Sequence, residues 1–268
     1  MALLETIHLS KQFGGLKAVD DVNISVNQGD VFGIIGPNGA GKTTFFNLCT
    51  GTFPSSGGEV IFDGKKITGY RPDQVARVGL ARTFQNLKLF TEMTVLQNVM
   101  TGFHIGTRTG IVDALLHTPR YRREQQETSE KALEILKKLG MEDIRDARAS
   151  ELPYGIQRKV EIARCLALSP KILMLDEPAA GMNPNETQKL LEFIKMLNAD
   201  GQTVVVIEHD MKFIMNVCNR IAVLVYGKKI AEGVPAEIQQ NPQVQEAYFG
   251  SGTFLSSANI VEGSARDA

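Results

Sequence analysis

The chain has little cysteine, no excess of either charge and no apolar run of bilayer length, and each lack removes a class of function. Its three cysteines, Cys49, Cys165 and Cys218, stand apart in apolar or helical stretches, without C-x-x-C spacing. They read as small buried hydrophobes of a reducing compartment. Lysine and arginine number 29 against 30 acidic residues, with an isoelectric point near 6.5. That balance leaves no electrostatic footprint for nucleic acid. The densest basic patch, RYRR at Arg120 to Arg123, reads as a solvated helix end. No stretch approaches the ~18 apolar residues of a membrane span, and no charged-then-apolar leader opens the chain. A soluble, cytoplasmic protein is expected, with any membrane role supplied through a partner.

What is present suffices for a large core: 268 residues, 43% of them hydrophobic. Short β-branched runs alternate with helical patterns: VFGII (Val31 to Ile35), KILML (Lys171 to Leu175), TVVVI (Thr203 to Ile207) and IAVLVY (Ile221 to Tyr226). Runs that are apolar throughout predict strands covered on both faces, hence a mainly parallel sheet flanked by helices. Leu4 to Phe13 and Gly58 to Asp63 alternate instead, which predicts an antiparallel side sheet. Asn183, Pro184 and Glu186 have the spacing of an N-cap, first helical residue and capping box. Leu190, Leu191, Ile194 and Leu197 then share a face, and Gly201 ends the helix. From Thr94 to Leu152 the strand pattern gives way to helical periodicity, as in EKALEILKKLG, where Leu133, Leu136 and Leu139 are expected on one face. Beyond Gly250 the residues are small and polar without periodicity, and read as a mobile tail.

The stretch GPNGAGKTT fits G-x-x-x-x-G-K-[ST]: Gly36, Pro37, Asn38, Gly39, Ala40, Gly41, Lys42, Thr43, Thr44. It follows the strand VFGII and opens a helix, the context the pattern requires. Glycines let successive amides face a phosphate chain, and the helix start adds its positive dipole end. Lys42 reaches the β/γ-phosphates and the Thr43 hydroxyl can ligate Mg²⁺. A second apolar run ends in Asp176 and Glu177, two acids at the edge of the sheet where a nucleotide would lie. Asp176 suits Mg²⁺ and Glu177 suits polarising the attacking water. A third run ends in Glu208, His209 and Asp210. His209 can bond the γ-phosphate or orient water, and Asp210 caps the next helix.

The phosphate loop, TFQNL with Gln85, LPYGIQRKVEIARCLA, LMLDEP, AAGMNP and IEHDM occur in that order. Together they resemble the motifs of the ATP-binding cassette ATPases of membrane transporters, over essentially residues 1 to 250. The resemblance implies an α/β P-loop NTPase core with an inserted helical subdomain: core over 1–93 and 159–250, helical subdomain with signature motif over 94–158, polar tail over 251–268. It implies ATP and Mg²⁺ as cofactors, with Glu177, His209, Lys42 and Gln85 catalytic. Gln85 would also touch Mg²⁺ and sense the membrane partner, and Phe13 falls where the family stacks an aromatic on adenine. In the family the signature helix touches the γ-phosphate held by a second subunit. Here the signature departs from the usual LSGGQ: Pro153 replaces the serine and brings neither hydroxyl nor N–H. The Tyr154 and Gly155 amides and the helix dipole remain to meet the anion. Asn183 likewise stands where the cross-dimer loop usually has Asp.

The Leu-Pro-Tyr-Gly signature, the insert GFHIGTRTGIVDALLHTPRYRREQQE, the AAGMNPNE loop and the closing IAEGVPAEIQQNPQVQEAYFG look most like the longer ATPase subunit of branched-chain amino acid uptake systems. That likeness implies a second, different ATPase chain, two permeases and a periplasmic binding protein, with this chain peripheral on the cytoplasmic face of the inner membrane. Urea or short-amide uptake and lipopolysaccharide export are same-class alternatives. A soluble repair or translation cassette fits less well, because the chain has one cassette and a short insert. A non-catalytic cassette is disfavoured by the presence of Glu177 and His209.

Overall fold

The computed structural model describes residues 2–106, 113 and 115–249, so the tail expected over 251–268 and the middle of the insert lie outside the described residues. The continuous apolar runs form the spine. Val31–Ile35 (β3), Ile172–Asp176 (β7), Thr203–Ile207 (β8) and Arg220–Val225 (β9) are almost wholly buried strands. With Leu80–Arg82 (β6) and Lys228–Gly233 (β10) they make a six-stranded sheet, ordered β10-β9-β3-β8-β7-β6. Every neighbouring pair is parallel except β10 and β9. Alternation survives inside these uniformly apolar strands as a choice of cover. Val31, Ile35, Leu173, Leu175 and Val206 pack into one cluster, and Phe32, Ile34, Met174, Val205 and Ile207 into another.

The second cluster is shared with a four-stranded antiparallel sheet, ordered β2-β1-β4-β5 and formed by Ala2–Phe13 (β1), Leu16–Asn27 (β2), Gly57–Phe62 (β4) and Lys65–Lys66 (β5). Phe45, Phe46, Leu48 and Cys49 of helix Lys42–Cys49 (α1) belong to it too. Strands β1 and β4 agree with the expected side sheet, but β2 was not expected. Its Asp20, Asp21, Asn23 and Asn27 oppose strand propensity, while burial of Val22, Ile24 and Val26 on one face outweighs them.

The first cluster takes in the larger helices, Pro119–Lys138 (α4), Tyr154–Leu166 (α5) and Pro184–Ala199 (α6), with Val95–Thr101 (α3) and Met211–Val217 (α7). Pro72–Val78 (α2), Pro235–Gln240 (α8) and Pro242–Phe249 (α9) are further described helices. Between Thr94 and Leu152 the described elements are helical, apart from one isolated bridge between Thr94 and Arg148. In α4 the buried stripe is Ala132 and Leu136, continued by Leu139, whereas Leu133 is only half-buried. The i, i+4 spacing through the small Ala132 takes the place expected of Leu133, because a small side chain lets the helix approach closely. Arg120, Arg122 and Arg123 are exposed in the first turns of α4, as a solvated end. The Asn183 carboxamide accepts from the Asn185 and Glu186 amides, both at 3.0 Å, and the Glu186 carboxylate accepts from the Asn183 amide at 3.2 Å. Leu190, Leu191, Ile194 and Leu197 of that helix are buried, and Gly201 follows its end in a left-handed conformation.

Candidate active site

Because β3, β7 and β8 are parallel, their C-terminal ends share one edge of the sheet, where the chain places Gly36 to Gly41, Asp176 with Glu177, and Glu208 with His209. The shape of the first loop rests on two glycines. Gly36 has φ of 152° and Gly41 of 97°, and a Cβ on them would collide with the carbonyl oxygens of Leu224 and Ala18 respectively. Helix α1 starts at Lys42 with Gly41 as its cap, so its first amides lack helical partners and face the loop. The Lys42 ammonium lies back over the loop, donating to the carbonyls of Gly36 at 2.7 Å and Pro37 at 3.0 Å. Burial pulls its pKa below the ordinary lysine value, and the Glu177, Asp176 and Glu208 carboxylates oppose that shift. A cleft of about 480 Å³ opens over the loop, lined by Asn38 through Thr44 together with Phe13, Leu16, Glu177 and Tyr226. A hollow of similar size, about 500 Å³, is lined by Leu3, Ile135, Leu139 and Lys171 and gathers none of the expected residues.

At the end of β7 the two acids have different surroundings. Asp176 is buried; one carboxylate oxygen accepts from Arg82 Nη2 at 2.8 Å, and the other, Oδ1, has no hydrogen-bond partner among the described residues. Burial raises the Asp176 pKa, the Arg82 guanidinium lowers it, and Glu177 raises it further. A buried carboxylate oxygen left over in this way fits a hard divalent cation that takes oxygen ligands. Thr43, on α1 beside Lys42, is exposed to the same cleft. Glu177 sits in the left-handed region at φ 45°, its amide held by the Ile207 carbonyl at 2.9 Å. A non-glycine residue held there stores on the order of 1–3 kcal/mol of strain, as functional residues often do. Its carboxylate accepts from Gln85 Nε2 at 2.9 Å, which brings Gln85 to the cleft. Glu208 is buried and accepts from the Ala179 amide at 2.8 Å and the His209 amide at 3.2 Å; burial raises its pKa. The His209 ring is more than half exposed, and Asp210 caps α7.

Phe13 stands at the end of β1, half exposed, with its ring 5.7 Å from that of Phe53 and 5.0 Å from the Lys11 ammonium. Tyr154 and Gly155 do not line this cleft; they open α5, with Pro153 as its cap. Sequence reasoning gives no site role to three residues. Tyr226 lines the cleft beside Phe13 and is 87% exposed; its one signal is an aromatic next to Gly227 in a strand-to-strand turn. Glu208 follows the apolar run TVVVI, and nothing in its neighbours along the chain signals its burial. Arg82 had the signal of an arginine closing the apolar triplet LAR ahead of Gln85. It is nearly enclosed and donates to Asp176, to Asn47 at 2.7 Å and to Thr50 at 3.1 Å. Replacing it in Arg82→Met should lower unfolding free energy by about 3–5 kcal/mol, because Asp176 would keep a buried charge without its counterion. A urea midpoint equal to the parent's would contradict that pairing.

The ABC transporter family model matches residues 19–180, and a model of branched-chain amino acid ATP-binding cassette transporters matches 228–253. Among curated relatives, the high-affinity branched-chain amino acid transport ATP-binding protein LivG of Escherichia coli K12 is 45% identical over 92% of this chain and 98% of its own length. BraF of Pseudomonas aeruginosa, with the same description, is 44% identical over the same shares. Among solved structures, an ATP-binding cassette of an ABC transporter in its ADP conformation superposes with a TM-score of 0.82 at 37% identity, over 93% of this chain and 99% of that one. A dimeric cassette in a post-hydrolysis state bound to ADP and Pi gives 0.70 at 27% identity, over 87% and 98%.

Proposed function

Because the chain belongs to the ATP-binding cassette family of ABC transporters, we propose that it is the ATP-hydrolysing subunit of a membrane importer for branched-chain amino acids. The cargo rests on one observation, 44–45% identity over 92% of the chain with relatives named for that transport. The chemistry rests on the meeting of a phosphate loop and paired carboxylates at one edge of the sheet, with Glu177 lining the cleft over the loop. The amides from Gly39 to Thr44 and the Lys42 ammonium would hold the phosphates, and Phe13 would meet the adenine. Thr43, Asp176 and Gln85 would hold Mg²⁺, which when bound neutralises phosphate charge. Glu177 polarises the attacking water, held in place by its strained backbone and by Gln85. His209 is close enough to the edge to orient that water or bond the terminal phosphate.

One copy leaves the terminal phosphate open on the side where Tyr154 and Gly155 are missing from the cleft. Catalysis of phosphoryl transfer depends on surrounding that group with positioned charge, so a second subunit must supply its signature helix. Pro153 weakens this chain's own offering, which supports pairing with a different ATPase chain whose signature has the missing donor. Among the described residues no helix is long and apolar enough to cross a membrane. In this reading two permeases provide the path, a periplasmic protein captures the cargo, and the chain docks on the cytoplasmic face through its helical subdomain, 94–158, and the loop at Gln85. Tagged chain purified from membranes should bring down two permeases and a second ATPase, and the reconstituted complex should accumulate leucine only with ATP. Recovery without any membrane protein, or uptake indifferent to leucine, isoleucine and valine, would overturn the proposal.

A further inference from the structure

A buried ion pair lies outside the cleft, on α5. The side chains of Arg158 and Glu161 have no exposed surface and meet at 2.7 Å. Arg158 Nη1 also donates to the Phe84 carbonyl at 2.8 Å, while Nη2 donates to the Gln85 carbonyl at 3.0 Å and to the Tyr154 hydroxyl oxygen at 3.1 Å. Glu161 accepts from the Lys88 amide at 3.3 Å through its other oxygen. The pair therefore grips the loop 84–88 at three backbone points, and at the same time holds the first residue of its own helix.

Stability is a poor reason for such a pair, because an apolar pair of similar size usually serves a core equally well. What the guanidinium adds is direction: its planar fork fixes several acceptors at once, which a lysine cannot do. The acceptors here are informative. Gln85 reaches Glu177 with its side chain and Arg158 with its carbonyl, so a continuous path of hydrogen bonds runs from Glu177 through Gln85 and Arg158 to Tyr154. Tyr154 and Gly155 are the residues whose amides would face the phosphate held by a second subunit.

We infer that Arg158, held by Glu161, is a positioning residue that makes the Gln85 loop and the start of α5 move as one body, so that a displacement at Gln85 is delivered to the signature end of the partner subunit's site. This rests on the proposed function, in which Gln85 responds to nucleotide and to the membrane partner. Rigid hydrogen-bonded elements of this kind carry coupling that single substitutions change measurably. Touching neither the phosphate loop nor the carboxylates, the latch should leave nucleotide affinity alone and act on turnover.

The test compares full-length parent with the double variant Arg158→Met, Glu161→Leu, which fills the space without the fork. Expected are a melting temperature within a few degrees of the parent, Mg-ATP affinity within about twofold and turnover reduced roughly tenfold. Amide exchange supplies the readout that a packing role would not move. Mg-ATP should slow exchange in both 83–88 and 153–158 of the parent, but only in 83–88 of the double variant. Arg158→Lys, which retains a charge for Glu161, should behave like the double variant and serves in its place if the latter fails to fold. A folded variant that turns over at the parent rate, or slows both segments together, overturns the latch. Parent protein that binds no Mg-ATP overturns instead the functional proposal on which it rests.

Discussion

Lys42→Ala should remove measurable ATP binding. The residue is buried at 6% exposure, and the donors on its ammonium are directed at the two carbonyls of the phosphate loop. With nucleotide present the same donors would be the nearest fixed positive charge to the phosphates. Charge-assisted bonds of this kind contribute about 1.5–3 kcal/mol each, so losing two of them weakens binding by at least ~3 kcal/mol, or ~150-fold in Kd. The fold should survive, because α1 keeps Phe45, Phe46, Leu48 and Cys49 in the core. Calorimetric titration with Mg-ATP separates the two effects: heat of binding should vanish while the thermal transition without nucleotide persists. Retained affinity within about threefold of the parent, which is less than 1 kcal/mol, would show that the amides alone hold the phosphates.

Glu177→Gln should leave binding intact and stop the reaction. Glutamine keeps the length of the side chain and can still accept from Gln85 through its carbonyl oxygen, so the contact at 2.9 Å between these residues need not be lost. What disappears is the basic oxygen that polarises water. Removing a positioned general base lowers turnover by about 10²–10⁴-fold. Because hydrolysis is what would separate the two subunits, the variant combined with its partner ATPase chain should accumulate as an ATP-bound dimer, visible by size-exclusion chromatography with ATP and absent without it. Turnover at the parent rate would place the base elsewhere, with His209 the next group to examine. Lys42→Ala and Glu177→Gln thus act at different steps: the first fails to load, the second loads and does not release.

The residues that sequence reading located best are those whose role is decided within a few positions. The glycine spacing from Gly36 to Gly41 is legible because backbone dihedrals are local, and Asn183 with Glu186 forms its capping box inside a single turn. The acids at Asp176 and Glu177 were legible because an apolar run must end where its strand leaves the core. The side sheet was half legible: β1 and β4 alternate plainly, but the acids and amides of β2 conceal a strand whose apolar face is only evident once β1 lies beside it. Periodicity predicts Leu133 on the same face as Leu136 and Leu139, but Ala132 has that place, since helical periodicity alone does not say which of two adjacent apolar residues a neighbouring helix can approach.

Arg82, Tyr226 and the partners of Arg158 were not legible for a related reason. Arg82 lies 94 positions from Asp176, and Arg158 lies 73 from Gln85. Taken by itself, the sequence determined the motifs in their order, the strands covered on both faces, the caps and the phosphate loop, all of which follow from hydrogen bonds and periodicity along a short length of chain. The tertiary structure alone decided that the ends of β3, β7 and β8 converge on one edge of the sheet, that a nearly enclosed arginine holds one oxygen of Asp176 and leaves the other unpartnered, and that the Gln85 loop is fastened to α5. Those outcomes depend on which strands and helices become neighbours, and that is settled by packing the whole apolar surface at once.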